Sequence, residues 1–122
     1  MVDQSLSSAD LLRCETRAVG RATVLTAIGE IDSLTAPRLH AALRQAQAAT
    51  PVVVLDLGGV EFLGSSGLMV LMRAANEALD APAGPPPLRI VAARSRVVVR
   101  AIQAAGLIGM LPLFDSLEHA LA

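Results

Sequence analysis

Leu63-Gly64-Ser65-Ser66-Gly67-Leu68 sets two adjacent hydroxyls between two glycines, just ahead of an apolar stretch with helical spacing. Three chemistries suit such a pair: a nucleophile, a phosphate acceptor, or the cap of a helix. A hydrolase elbow needs G-x-S-x-G on a strained strand-to-helix turn. Here the second glycine comes one residue early. His40 and His119 are the only histidines, each on an expected helix that starts far from the serines in sequence. Both read as surface or partly packed residues, and two isolated histidines make a poor metal set. Neither G-x-x-x-x-G-K-[ST] nor G-x-G-x-x-G occurs. Glu30, Asp32, Asp56 and Glu61 could bring carboxylates near strand ends, yet nothing marks them as more than solvated loop charges. No catalytic residue, metal site or cofactor is therefore expected.

The first amides of a helix lack intrahelical partners, and a serine oxygen that accepts one contributes about 1 kcal/mol. A cap explains one hydroxyl but not two. A phosphoryl group at such a position would meet free N–H groups and the positive end of the helix dipole, so the fold would tolerate it. Its charge of about −2 would alter any partner surface built around that helix end. Composition alone ranks the cap ahead of the phosphate.

The elements that must position this corner follow from pattern. Residues 11–19 and 21–28 read as two strands separated by Gly20. Residues 29–39 read as a loop entering a helix, with Thr35 as N-cap and Pro37 in the first turn. Leu39, Ala42, Leu43 and Ala46 share one face of that helix. Pro51 opens PVVVLDL, an unalternating apolar run typical of a strand covered on both sides. GGVEFLG is read as the connection to the serines. Beyond them Leu68, Leu71, Met72, Ala75 and Leu79 form the buried stripe, and Arg73, Asn76, Glu77 and Asp80 the wet one. APAGPPP (81–87) is a surface loop. LRIVAA (88–93) is the next strand. Ser95 caps a helix that turns Val98, Ala101, Ile102 and Ala105 inward and stops at Gly106. MLPLF is a short edge strand, and Asp115 with Glu118 starts a terminal helix. The order is β-β-α-β-α-β-α-β-α, an α/β layer with an initial hairpin and later crossovers.

Bulk properties narrow the function. The 122 residues suit one domain, expected over 11–122 after a flexible lead of residues 1–10, and 53% are hydrophobic, which argues against a disordered regulator. Two Phe, no Trp and no Tyr leave no stacking platform, and a net charge of −1 gives no field that seeks polyanions. Direct nucleic-acid binding is not expected. Cys14 is the only cysteine, so no intrachain disulfide forms, and it reads as a small buried hydrophobe. No signal peptide is evident, and no apolar run approaches the roughly 20 residues of a membrane span. A cytoplasmic protein with no membrane contact is the expectation.

VVLDLGGVEFLGSSGLMVLMRA resembles the central signature of STAS domains, and specifically of bacterial anti-sigma factor antagonists (anti-anti-sigma factors). That signature is an apolar strand, Asp-Leu, a short loop ending in an acid-Ser-Ser/Thr-Gly-Leu block, then a helix. GEIDSLTAPRLHAAL resembles the family's upstream acidic segment and helix, and IVAARSRVVVRAIQAAGLIGMLPLFDSLEHAL its closing half. The resemblance runs from about residue 15 nearly to the end. It implies a mixed sheet of about five strands with about four helices packed mainly on one face. It also implies a regulator of transcription, not an enzyme, that binds an anti-sigma factor, often a serine kinase, and frees its sigma factor. Phosphorylation of the serine ends the interaction and a phosphatase restores it. Carried onto this chain, the acceptor is Ser65, with Ser66 as cap or second choice. The partner surface is Glu30, Asp32, Gly64, Ser65, Ser66, Gly67, Leu68 and Met69, and a weak homodimer is compatible with it.

One departure stands out: the family's acid before the serine is Gly64 here. The hydroxyl remains, so Ser65 is expected to keep its phosphorylation; the alternative is a copy locked in one binding state. Two other readings stay open. One is a STAS subunit docking onto another assembly, such as a lipid-transport ATPase, without phosphorylation. The remote one is a small serine hydrolase.

Overall fold

Gly20, at φ 60°, reverses the chain and folds β1 (Leu12–Val19) antiparallel onto β2 (Ala22–Ile31). The computed structural model describes residues 11–79 and 87–122. The lead expected over 1–10, Asp80 and most of the proline-rich loop lie outside the described residues. After the hairpin come α1 (Ala36–Ala49), β3 (Val52–Leu63), α2 (Ser65–Leu79), β4 (Leu88–Val91) and α3 (Arg96–Ala104). A 3-10 turn (Ile108–Met110), β5 (Leu113–Phe114) and α4 (Leu117–Leu121) close the chain. The sheet order is β1-β2-β3-β4-β5, with β2 to β5 parallel. This is the expected mixed five-stranded architecture.

Sequential parallel strands joined by crossovers of one hand place the connecting helices on one face. Leu39 and Leu43 of α1, Leu71 and Ala75 of α2, and Val98 and Ile102 of α3 accordingly share a core with Leu25, Leu55, Leu57 and Ile90 of the sheet. The other face is covered locally by α4, whose Ala120 packs on Val24, Val54 and Val91. Arg89, only 8% exposed, holds that helix there. Its guanidinium donates to the Ala120 carbonyl and lies 5.7 Å from the centre of the Phe114 ring.

Several local expectations needed correction. β2 continues through Gly29-Glu30-Ile31, and β3 through the whole of GGVEFL, where a loop was expected. Long-range pairing overrides the weak strand propensity of glycine there. Thr26 pairs Asp56 and Ile28 pairs Gly59, then Gly29 pairs Val60 and Glu30 pairs Phe62, so β3 carries two extra residues against β2. Such bulges turn side chains off the alternating pattern. Asp56 Oδ1 accepts the Gly58 N–H at 2.9 Å and braces the first bulge. The buried stripe of α2 is Val70, Leu71, Ala74 and Ala75, with Leu68 and Met72 half-buried, a rotation of about one residue from the expected one. Ala105 is exposed, beyond the last inward turn of α3. Ser95 does cap α3, accepting the Val98 N–H at 3.2 Å. Gly106 (φ 73°) ends it in a Schellman motif, with Gly106 N bonded to Gln103 O and Leu107 N to Ile102 O. The cap of α4 is Ser116, not Asp115.

Candidate functional site

The parallel strands end on one rim, and the Leu63–Leu68 corner lies on it. Gly64 N donates to Ile31 O at 2.9 Å, tying the end of β3 to the end of β2. Leu68 N donates to Gly64 O at 3.1 Å, which makes Gly64 the N-cap residue of α2. Ser65 and Ser66 are therefore the first two residues of the helix. Neither caps it, contrary to expectation: among the described residues no hydrogen bond involves either hydroxyl. Ser65 is exposed and Ser66 half-buried.

Both flanking glycines have geometric reasons. A Cβ on buried Gly67 would stand 2.5 Å from Leu63 Cδ1 and 2.6 Å from Ile31 Cγ2, so the bare backbone lets α2 start directly on the sheet. One on Gly64 would stand 3.2 Å from the Phe62 ring. The acid of the family pattern thus maps to the N-cap, where glycine is nearly as stabilising as aspartate. Here its place is partly taken by the Phe62 ring.

The β2–α1 loop forms the neighbouring wall. Thr35 is fully buried, and its hydroxyl is turned back into the loop rather than capping α1. It accepts the Asp32 N–H at 2.8 Å and donates to Glu30 O at 2.8 Å. Asp32 Oδ1 in turn accepts the Leu34 and Thr35 amides at 2.9 and 3.0 Å. The Thr35 N–H, then those of Leu34 and the hydroxyl, hold the Asp32 carboxyl below its usual pKa. Asp32 is thus a shaping residue whose turn presents Leu34, 68% exposed. Thr35→Val should cost about 1–3 kcal/mol in a urea melt, because it keeps the volume but removes two hydrogen bonds, those to the part-buried Asp32 amide and Glu30 carbonyl. A depressed carboxylate pKa adds stability above the ordinary value near 4, which is lost as pH falls through the lowered one. Melting temperatures of wild type and Asp32→Asn should therefore differ at neutral pH and converge in acid.

Around Ser65 the rim exposes Leu34, Phe62 (48%) and Met69 (61%), with Glu30 and Glu61 beside them. Met69 is among the residues expected at a partner surface, and Leu34, Phe62 and Glu61 are not. Phe62, one of two aromatics, and Leu34, an apolar residue in a polar loop, were the available signals. The bulge, invisible in sequence, is what exposes Glu61 and Phe62 together. Leu68 is half-buried and contributes to packing. The histidines do not complete a nucleophile: His40 Nε2 is buried with no hydrogen-bond partner among the described residues, and His119 is exposed on α4, across the sheet from α2. Among the described residues no group of His, Cys, Asp or Glu could hold a metal ion. Cys14 is half-buried, and burial pushes its thiol pKa up against a smaller opposing pull from Arg38. No helix among the described residues is long and apolar enough to cross a membrane.

The profile of the STAS domain matches residues 13–120. The chain belongs to the STAS domain family. Over 99 residues this STAS domain is 40% identical to the anti-sigma-F factor antagonist RsfB of Mycobacterium tuberculosis, covering 80% of this chain and 77% of that one. The crystal structure of an anti-sigma factor antagonist from Mycobacterium paratuberculosis superposes with a TM-score of 0.78 at 33% identity, covering 95% of this chain and 96% of that one. The Bacillus cell fate determinant SpoIIAA, in its phosphorylated form, shares the fold at a TM-score of 0.62 and 19% identity, over 89% and 96% of the two chains.

Proposed function

We propose that this STAS domain is an anti-sigma factor antagonist: it docks an anti-sigma factor on the rim around Ser65, and phosphorylation of Ser65 ends the docking. The observation that carries the reading is an exposed serine at the first position of α2, its hydroxyl in no hydrogen bond among the described residues, on a rim that also exposes Leu34, Phe62 and Met69. Apolar side chains exposed together beside charges are what a protein partner desolvates. The relatives named above support the choice of partner class.

The switch follows from the same geometry. A phosphoryl group on Ser65 would sit at the positive end of a 15-residue helix, so the domain need not refold to carry it. Its charge adds to Glu30, Asp32 and Glu61 and must be stripped of water when an apolar partner surface closes over it. Gly64 leaves the acceptor and the helix start in place. Incubation with magnesium ATP and an anti-sigma factor of the serine-kinase class should add one phosphate, mapped to Ser65 by mass spectrometry and lost in Ser65→Ala. Ser65→Glu should bind that factor more weakly than wild type. Unmodified Ser65 with intact binding would leave a constitutive antagonist and remove the switch. No binding by the unmodified chain would overturn the function itself.

A further inference from the structure

The rim around Ser65 has two electrically opposite sides. Next to the β2 end stand Glu30 and Asp32, with the exposed Leu34. Next to the β4 end stand Arg94 and Arg96, both exposed, with Val97 41% exposed. Ser95 fixes that second side: its hydroxyl donates to Val60 O at 2.7 Å while it caps α3, so the arginines are pinned beside the outer stretch of β3. They face Gly58, Gly59, Val60 and Glu61 across a shallow groove. Among the described residues neither arginine makes an ion pair. Strand order puts β3, and hence Ser65, between the two sides.

A surface with an acidic flank, an apolar centre and a basic flank is complementary to itself after a two-fold rotation about its middle. Each acidic flank then meets the other copy's basic flank, as an isologous interface requires. We propose that two copies of this chain associate across this rim, with Glu30 and Asp32 of one facing the second copy's Arg94 and Arg96. Leu34 of each copy meets the other copy's Val97, Phe62 closes the centre, and the two Ser65 residues lie near the axis. So few side chains fall short of the roughly 800 Å² per partner of a stable complex, and the exposed charges are screened by salt. The dimer is therefore transient. Its consequence rests on the function proposed above: self-association covers the surface that the anti-sigma factor needs, so docking and dimerisation compete.

The test uses the full chain without any anti-sigma factor, so its outcome is independent of that function. Sedimentation from about 10 µM to about 1 mM should show a mass that rises with concentration, and less steeply as salt goes from about 0.05 to about 0.5 M. Two variants change only exposed residues: Arg94→Glu with Arg96→Glu, and Glu30→Lys. Asp32 is left alone because it shapes its loop. Circular dichroism should find both folded, each alone should self-associate at least about tenfold more weakly, and their equimolar mixture should recover wild-type association to within about threefold. The mixture is decisive, since only a charge-swapped pair has both flanks complementary. A wild type that stays monomeric throughout, variants that dimerise like wild type, or a mixture without recovery would each overturn the proposal. In a separate arm, anti-sigma factor binding by the arginine variant should hold or tighten. Weakening there, with self-association as expected, would overturn the competition alone.

Discussion

Gly29→Ala is expected to cost about 3–5 kcal/mol and to lower the melting temperature by more than about 10 °C, the largest effect of any single change proposed. Gly29 sits at φ 116°, a conformation that side chains rarely adopt, and an added Cβ would stand 2.1 Å from the Leu11 carbonyl oxygen. Relief would require backbone to move, because the obstacle is not the end of a flexible side chain. The shift would be felt at the site, since Gly29 pairs Val60 just before the bulge that sets Glu30 against Phe62. Gly20→Ala is the matched control. Its φ is also positive, at 60°, but nothing lies within 4 Å of the added atom. Backbone strain alone should cost it about 1–2 kcal/mol. Thermal and urea melts of the two variants check the contrast, and a Gly29→Ala loss no greater than that of Gly20→Ala would contradict the close approach.

The second large effect concerns binding and not stability. Leu34→Ala, Phe62→Ala and Met69→Ala each remove an exposed apolar side chain beside Ser65. Stability should change by about 0.5 kcal/mol or less, as is usual for surface positions. Affinity for an anti-sigma factor should fall at least about tenfold for the strongest of the three, because aromatic and apolar anchors at an interface centre carry most of its energy. Calorimetric titration of the three variants, beside a control Arg44→Ala, whose exposed side chain pairs with Glu77 near the other end of α2 from Ser65, separates docking from general damage. Three affinities within about twofold of wild type would mean that the factor docks elsewhere.

Much of the architecture was legible because it rests on local chemistry. Unalternating Val and Leu marked β3 as a covered strand, the i, i+3, i+4 spacing placed α1 and α2, and Ser95 and Gly106 bracketed α3 as capping physics requires. The misreadings cluster where a residue's best local partner loses to a distant one. Thr35 would cap α1 by local rules, but its hydroxyl is drawn back to Glu30 and Asp32. Gly58-Gly59 would be a turn, but pairing of β3 with β2 holds it as strand.

The sequence by itself determined the α/β order, the two adjacent serines at a strand-to-helix corner, and that their glycines do not form a G-x-S-x-G elbow. Each is a property of neighbours in the chain. Only the tertiary structure decided that Gly64, not a serine, begins α2, and that a bulge turns Glu61 and Phe62 outward together. It likewise decided that Asp32 shapes the loop presenting Leu34, and that arginines after β4 share a rim with acids at the end of β2. Those facts depend on register and on which strand ends lie side by side. Register is fixed by the packing of the whole sheet, so no single stretch of sequence contains it.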